Sequence, residues 1–398
     1  MTRFLLDLSH TSHTEARTGV QRVARELRRA LDGEAVPVVF DPYERAWRRL
    51  DGEERRRLAS RGASARRGAR WSWRQACRGR VKRLLRGQGS TQSAVGSEPI
   101  AGAGGLIVPE IFSPRVAAAL LGLRSRLAGP TVALFHDAIP LQRPEMSPAS
   151  IVARFPAYLR ELERFDGIAA ISEESREALL AYWDWLGVRG PPVTAIPLGI
   201  PTAPSPPPPP AEPGRSPGLL CVSTLEGRKN HLALLDACES LWRRGVRFHV
   251  RLVGLARPET AAPALRRIDE LRRAGRPLRY DGPVDDRRLE SAYAEADFTV
   301  YPSIQEGFGL PVAESLARGR PCVCSGSGAL GEIAREGGCL MLAALDAGAI
   351  AAACERLILD GDERARLAAE ARGRRFRTPS EHARELLAWT KALPIGPR

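Results

Sequence analysis

Two glutamates lie on either side of a glycine-containing turn in the second half of the chain. Glu306 and Glu314 enclose the segment GFGLPVA, which follows a predicted strand over 298–301. The glycines Gly307 and Gly309 would let the backbone approach a ligand closely, and the proline after them suits the first turn of a helix. Both carboxylates could then accept hydrogen bonds from the hydroxyl groups of a bound molecule.

A pair of basic residues follows another predicted strand, in the segment STLEGRKN. Arg228 and Lys229 come after a strand over 220–223 and just before a helix that we expect to begin at His231. Two cations beside the positive end of a helix dipole are unfavourable by roughly 0.3–1 kcal/mol each. An anion between them would offset that cost, so a phosphate site is indicated. The alternative is a solvated Arg–Lys pair.

Together these segments supply what a nucleotide-sugar site needs. It needs cations and helix N-termini for a diphosphate, one carboxylate for the ribose and another polar group for the sugar hydroxyls. A turn over 281–284 precedes a predicted helix and ends at Val284, and it could form a wall against the base.

Other motifs in the chain favour a structural reading. GSGALG at 326–331 has the spacing of a dinucleotide motif but falls too late in its domain, so we do not expect NAD. DGD at 360–362 lies between two predicted helices and is interpreted as an N-cap turn. The seven cysteines and six histidines lack metal-ligand spacing, so no metal site is expected.

The elements that must position these residues alternate between strand and helix twice. Residues 1–197 form a predicted N-terminal α/β domain, and 218–378 form a second one. The proline-rich stretch 198–217 is interpreted as a linker, and a last helix over 379–398 could return to the first domain. Two doubly wound domains of this kind, facing a cleft, are the predicted fold.

The net charge of +14 is concentrated in one segment. Residues 45–86 contain 16 Lys or Arg against three Asp or Glu, inside a predicted insertion over about 44–105 that we expect to be partly disordered. Within it, Trp73, Cys77, Val81 and Leu84 fall on one face of a weak amphipathic helix, interrupted by Gly79. An anionic membrane surface is the partner we expect for this segment. A solvated basic loop without function is the alternative.

The motifs resemble those of the large retaining glycosyltransferase family 4, of GT-B fold. Glu306 and Glu314 match its E-x7-E motif, and STLEGRKN and YDGPVDDRRLESAYAEADFTVYPSIQEGFGLPVAESL match its C-terminal domain. FHDAIP, AAISEES and VTAIPLGI resemble segments of its N-terminal domain. The opening LDLSHTSHTEARTGVQRVARELRRAL resembles a subset of mannosyltransferases that builds bacterial O-antigen or capsule.

The resemblance implies a role for each matching residue. Glu306 would contact the transferred sugar, Glu314 would hold the ribose, and Lys229 with Arg228 would neutralise the diphosphate leaving group. The resemblance also implies Gly307, Phe308, Gly309 and Leu310 on the donor side, and His136, as a catalytic residue, and Gly19 from the N-terminal domain. His136 would approach the sugar, and Gly19 the diphosphate and acceptor. Many members carry an additional Arg just after the first strand of the C-terminal domain, where this chain has Ser223-Thr224.

The predicted activity is therefore retaining, metal-independent hexosyl transfer from a nucleotide-diphosphate sugar, which is a substrate, so no cofactor is expected. GDP-mannose is the first expected donor, before UDP-sugars and dTDP-rhamnose. The acceptor would be a glycan or a lipid-diphosphate-linked molecule in surface polysaccharide synthesis. The lack of an apolar run of transmembrane length, and of an export signal, favours a cytoplasmic enzyme, peripheral on the inner membrane. A basic nucleic-acid-binding protein and a catalytically silent homologue are the alternatives. We do not expect nucleic acid as a partner, because the rest of the chain is nearly neutral.

Overall fold

The structure, a computed structural model, describes residues 3–16, 18–59, 69–85, 100, 102–201 and 215–396 of the 398-residue chain. It divides into two compact units. The first falls within Met1–Leu141, Ser150–Gly199 and Pro379–Arg398, and the second within Gln142–Ala149 and Ile200–Thr378. Most of the predicted linker, 202–214, lies outside the described residues.

Seven strands form the sheet of the first unit. They are β1 (Phe4–Asp7), β2 (Ala35–Asp41), β3 (Ala46–Arg49), β4 (Leu106–Val108), β5 (Thr131–Phe135), β6 (Gly167–Ala170) and β7 (Val193–Ala195). Their order is β3-β2-β1-β4-β5-β6-β7. Every pair is parallel except β2 and β3, which are joined by a tight turn and are antiparallel. The central strands are buried on both faces, which explains their continuous apolar runs such as VALF in β5.

Helices connect these strands. They are α1 (Gly19–Ala30), α2 (Gly52–Ala59), α3 (Trp73–Leu85), α4 (Pro114–Arg124), α5 (Ile139–Gln142), α6 (Ala149–Leu162) and α7 (Glu173–Trp185). Single 3-10 turns lie at Thr11–His13 and Pro144–Met146. Ser172 caps α7, because its hydroxyl accepts a hydrogen bond from the Ser175 amide at 3.1 Å.

The predicted insertion is more regular than the sequence indicated. Its described part contains β3, which extends the sheet at one edge, and the helices α2 and α3. The predicted interruption at Gly79 is wrong, because α3 runs without a break through that residue. A Cβ atom there would lie 2.8 Å from the Tyr43 Cβ, so the glycine permits close packing on the turn before β3. The expectation of disorder falls partly on 60–68 and 86–99, which lie outside the described residues.

Six parallel strands form the sheet of the second unit. They are β8 (Gly218–Val222), β9 (His249–Val253), β10 (Leu278–Tyr280), β11 (Phe298–Tyr301), β12 (Cys322–Ser325) and β13 (Cys339–Leu342). Their order is β10-β9-β8-β11-β12-β13. The predicted α/β class with two doubly wound sheets is confirmed. The sequence analysis missed β13, because its pattern CLML is neither alternating nor fully buried.

The remaining helices are α8 (His231–Arg243), α9 (Ala262–Arg273), α10 (Asp286–Glu295), α11 (Leu310–Ala317), α12 (Gly328–Ala334), α13 (Ala347–Leu359), α14 (Gly361–Gly373) and α15 (Pro379–Ala392). A 3-10 turn at Gly227–Lys229 precedes α8. Asp360 caps α14, as predicted for the DGD motif, by accepting the Glu363 amide at 2.9 Å. Among the described residues, no helix is both long and apolar enough to cross a bilayer.

The last helix, α15, belongs to the first unit although it follows the second in the chain. Its residues Ala383 and Leu386 are buried. The His382 ring lies 3.0 Å from the Pro197 carbonyl, and the Gly396 amide donates to Asp166 at 2.9 Å. A Cβ on Gly167 of β6 would lie 2.5 Å from Leu393, so this end of the chain packs tightly on the first sheet.

Candidate functional site

The two segments predicted to bind a ligand follow neighbouring strands. β8 and β11 pair in parallel at the centre of the second sheet. The strands β9 and β10 extend the sheet from β8 towards one edge, while β12 and β13 extend it from β11 towards the other. Ligands of open α/β sheets bind at the carboxyl ends of the strands where the order reverses in this way. Arg228 and Glu306 lie in the loops that begin at this place.

Glu306 is held between the two predicted cations. Its Oε2 accepts a hydrogen bond from Arg228 Nη1 at 2.6 Å, and its Oε1 accepts one from Lys229 Nζ. The backbones of the two loops are also joined, because the Ile304 amide donates to the Arg228 carbonyl at 2.8 Å. The structure therefore brings together three residues that are 77 and 78 positions apart in the chain.

The protonation of this cluster follows from its surroundings. Burial alone would raise the pKa of the Glu306 carboxyl, but the charges and hydrogen bonds of Arg228 and Lys229 lower it to about 2. Burial, followed by the charge of Arg228, lowers the pKa of Lys229 below its usual value, while Glu306 and Glu226 oppose that shift. At neutral pH Glu306 is thus an ionised, acceptor-only group beside fixed positive charge.

Two further charged residues belong to the cluster, and the sequence analysis missed them. Glu226 Oε1 lies 2.8 Å from Arg228 Nη2, and Glu226 Oε2 lies 3.2 Å from Arg257 Nη1. Three cations thus surround these two carboxylates, and the exposed Glu259 lies 4.0 Å from Arg257 as well. No sequence signal marks Arg257, because its contact with Glu226 depends on the pairing of β9 with β8.

The turn at the start of α11 requires glycine. Gly309 has φ 100° and ψ 41°, in the left-handed region, and it immediately precedes the helix. A Cβ there would lie 2.4 Å from the Leu330 side chain. Gly307 is buried in the same turn, whereas Phe308 and Leu310 are partly buried and pack on the core of the unit. The backbone amides of this turn therefore have a fixed geometry, and their donor-binding role stays a prediction.

Glu314 has surroundings quite different from those of Glu306. It lies in the second turn of α11 and is only 1% exposed. The Tyr293 hydroxyl is 3.5 Å from its Oε2, and that hydroxyl lies 3.3 Å from the Tyr301 hydroxyl. The role of Glu314 in holding the ribose stays a prediction.

Val284 and Ser223 lie at two other positions that the sequence associates with the donor site. Val284 is partly buried and packs on a small apolar cluster that includes Tyr293. Ser223 Oγ lies 3.0 Å from Nε2 of His231, the first residue of α8. Burial, and then the charge of Lys229, lowers the pKa of His231 to about 3, so this ring is neutral. Ser223 therefore contacts a neutral imidazole.

The predicted residues of the first unit lie at the carboxyl end of its sheet. His136 directly follows β5 and is buried, and its Nε2 donates to the Pro109 carbonyl at 2.8 Å. Burial is the main cause that lowers its pKa, so the imidazole is neutral at physiological pH. Gly19 is the first residue of α1, after the loop that follows β1.

A buried acidic pair at the same end of the first sheet was missed. Asp7 ends β1, and Glu110 follows β4, the strand next to it. Burial, and then the Glu110 charge, raises the pKa of Asp7 to about 7. Burial raises the pKa of Glu110 to about 7 against the hydrogen bonds that it accepts. Those bonds come from the amides of His10 and Thr11, at 3.0 and 2.8 Å, and from the Thr11 hydroxyl.

One group of potential metal ligands exists in the part of the chain that the structure describes. The thiols of Cys322, Cys324 and Cys339 lie within 4.8 Å of one another on β12 and β13. This grouping was not expected from the sequence, because Cys339 lies on a different strand from the other two. The charged residues around Glu306 are not part of this thiol cluster.

Comparison with known proteins matches part of the chain to a family model. Residues 216–360 match the model of the family described as glycosyl transferases group 1. The serotype-specific mannosyltransferase WbdA of Escherichia coli is 28% identical over 221 residues, which are 50% of this chain and 26% of WbdA. The O-antigen chain mannosyltransferase B of Escherichia coli is 37% identical over 120 residues, 30% of this chain and 31% of that protein. The chain thus spans about a quarter to a third of these relatives.

Two solved structures have the same fold over almost the whole chain. Anabaena Alr3699/HepE, in complex with UDP and glucose, has a TM-score of 0.68 at 15% identity and covers 99% of this chain and 100% of its own. Sucrose-phosphate synthase from Thermosynechococcus elongatus has a TM-score of 0.62 at 18% identity, and the match covers 98% of this chain and 95% of that one. The chain therefore has the GT-B fold, and its residues 216–360 match the glycosyl transferases group 1 model.

Proposed function

We propose that this protein is a retaining glycosyltransferase that moves a hexose from a nucleotide-diphosphate sugar to a glycan or lipid-linked acceptor. The observation that carries the proposal is the cluster of Arg228, Lys229 and Glu306 at the carboxyl ends of β8 and β11. It provides fixed cations and an ionised carboxylate at the place where open α/β sheets bind ligands.

The chemistry follows from where charge develops. Cleavage of the bond between the anomeric carbon and the diphosphate leaves negative charge on the phosphate and positive charge on the sugar ring. Arg228 and Lys229 would stabilise the departing diphosphate, because preorganised cations in a buried site act without reorganisation. Glu306 is ionised and would accept hydrogen bonds from the hydroxyls of the transferred sugar.

The mannose assignment is supported by the relatives. Both Escherichia coli proteins are named mannosyltransferases, and one of them acts on the O-antigen chain. We therefore propose GDP-mannose as donor and surface polysaccharide synthesis as the setting. UDP-sugars and dTDP-rhamnose come next.

A thermal-shift screen of nucleotide sugars tests the donor. We expect GDP-mannose to raise the melting temperature most, and the Lys229→Ala variant to lose most of that shift. Equal shifts with every nucleotide sugar would contradict the mannose assignment. Binding without transfer to any acceptor would instead identify a catalytically silent homologue.

The reaction itself has two further tests. Transfer should continue in EDTA, and a loss that Mg²⁺ restores would contradict metal-independent catalysis. The anomeric configuration of the product, read by NMR, should equal that of the donor. An inverted product would exclude the retaining course while leaving the donor site unaffected.

A further inference from the structure

The outer face of α3 presents an apolar stripe to solvent. Trp73, Val81 and Leu84 are 73%, 53% and 80% exposed, and Cys77 between them is exposed as well. These four positions follow helical spacing and share one face. The opposite face is buried through Gln75 and Gly79. The helix is therefore fixed to the unit along one side only, and its outer side is available to a partner.

The charge on α3 indicates what kind of partner fits. Between residues 73 and 85 the helix has five Lys or Arg and no acidic residue. Arg78 pairs with Asp51 at 2.6 Å, and Arg74 lies 6.0 Å over the ring of Trp73. A helix with exposed Trp and Leu along one line and cations on both sides suits the interface of an anionic bilayer. The rings and aliphatic chains enter the headgroup layer, and the cations contact lipid phosphates.

The residues just before α3, Arg70 and Trp71, form the base of this helix and contact the loop after β1. The His13 carbonyl accepts a hydrogen bond from the Arg70 amide at 2.7 Å. The Trp71 ring stacks on the His13 ring with centroids 3.8 Å apart, and His13 Nε2 lies 2.9 Å from Glu54 Oε1 on α2. Burial opposes the ionisation of Glu54, but the bonds from His13 and Arg48 lower its pKa to about 2, so Glu54 stays ionised. Residues of the basic segment thus hold this loop directly.

The other side of the same loop is held by the sheet. Glu110, just after β4, accepts the amides of His10 and Thr11. The loop over 9–14 is therefore fixed between the carboxyl end of the first sheet and the base of α3. Ligands of an open α/β sheet enter at this end of the strands.

We propose that α3 docks on an anionic bilayer through Trp73, Val81 and Leu84, and that it thereby holds the 9–14 loop against that surface for an acceptor anchored in the same bilayer. The acceptor part rests on the proposed glycosyl transfer, whereas the docking part does not. Of the two acceptor classes proposed above, docking on a bilayer favours the lipid-linked acceptor.

Sedimentation of the full-length protein with vesicles tests the docking. We expect binding to phosphatidylcholine vesicles that contain phosphatidylglycerol, weaker binding in high salt, and little binding to phosphatidylcholine alone. Trp73→Ser with Leu84→Ser should weaken partitioning about tenfold or more, because two large apolar side chains no longer enter the interface. The matched control is Trp185→Ser with Leu359→Ser, which removes the same residue types from positions that are 78% and 68% exposed elsewhere. Equal losses in both variants, or none in either, would overturn the docking face.

Hydrogen exchange on the same vesicles tests the link to the loop. We expect slower exchange over 73–85 and also over 9–14, with no change in α7 (173–185) as internal reference. Protection of 73–85 alone would overturn the inference that docking holds the 9–14 loop against the bilayer. Binding to a single-stranded oligonucleotide without any partitioning onto vesicles would overturn the membrane proposal in favour of nucleic acid. Neither experiment uses a sugar donor, so failure of the proposed transferase activity would appear separately, in the nucleotide-sugar screen.

Discussion

Among single residues, Glu306 has the clearest consequence for activity, because it is bonded to Arg228 and Lys229. Replacing it with Gln keeps the shape and removes the charge. We expect the transfer rate to fall by roughly 10²-fold or more, since the acceptor for the sugar hydroxyls weakens. The free nucleoside diphosphate should bind as tightly as to the wild type or more tightly, because Arg228 and Lys229 are no longer neutralised. Initial rates and isothermal titration calorimetry measure the two effects.

The matched control for Glu306→Gln is Glu363→Gln on α14. Glu363 also pairs with two arginines, Arg356 and Arg366, at 2.6 and 2.8 Å, but on an exposed helix. It should change neither the rate nor the diphosphate affinity. A Glu306→Gln enzyme with the wild-type rate would remove Glu306 from the reaction.

The buried acid Glu110 predicts an unusual pH dependence of stability. Its pKa is about 7 in the folded state and 4.5 as the ordinary value, so the folded state binds the proton more tightly. The contribution of the protonated Glu110 to the free energy of unfolding is therefore fully present below about pH 4.5. It is lost as the pH rises towards 7. We expect the free energy of unfolding to decrease between these values by about 1 kcal/mol or more. Glu110→Gln should flatten that slope, as urea unfolding at several pH values would measure. An unchanged slope would contradict the assignment to Glu110.

At the level of elements, the turn before α11 depends on one backbone conformation. Gly309→Ala places a side chain at φ 100° and close to Leu330. We expect a loss of about 1–3 kcal/mol in the free energy of unfolding and weaker donor binding, because the start of α11 shifts. Gly373→Ala on α14 has no atom within 4 Å of its new Cβ and should be neutral. Thermal unfolding with and without a nucleotide sugar distinguishes the two variants. Equal stability of both would contradict the requirement for glycine.

The elements around the donor site could be predicted because each is local. Arg228, Lys229 and Glu306 lie just after short apolar strands, and their spacing from those strands is visible in the sequence. Glu226 and Arg257 could not be predicted, since their pairing depends on two loops that only the sheet order brings together. The same holds for His13 and Glu54, whose contact joins the basic segment to the loop after β1. The strand β3 was missed because a composition rich in Arg masks its pairing with β2.

For the whole molecule, the placement of α15 makes an asymmetric prediction. A chain that stops after Thr378 loses a helix that is buried against the first unit, although it is cut beyond the second. We expect faster hydrogen exchange in β6 and α1 and a lower temperature for the first melting transition. The nucleoside diphosphate should still bind. A chain that ends at Gly396 is the control and should behave as the full length. Loss of diphosphate binding with an intact first unit would contradict this division.

The route of α15 also sets an order for synthesis on the ribosome. The segments of the first unit before Gly199 leave the exit tunnel early but lack their closing helix until the whole second unit has been translated. Gly167 and Asp166 remain without their partners Leu393 and Gly396 for that time. The second unit consists of one continuous stretch, Ile200–Thr378, and the short earlier segment Gln142–Ala149. It can therefore complete its core first. The part of the chain made first would therefore be the last to reach its final packing, and the exposed β6 region is where a chaperone would be needed.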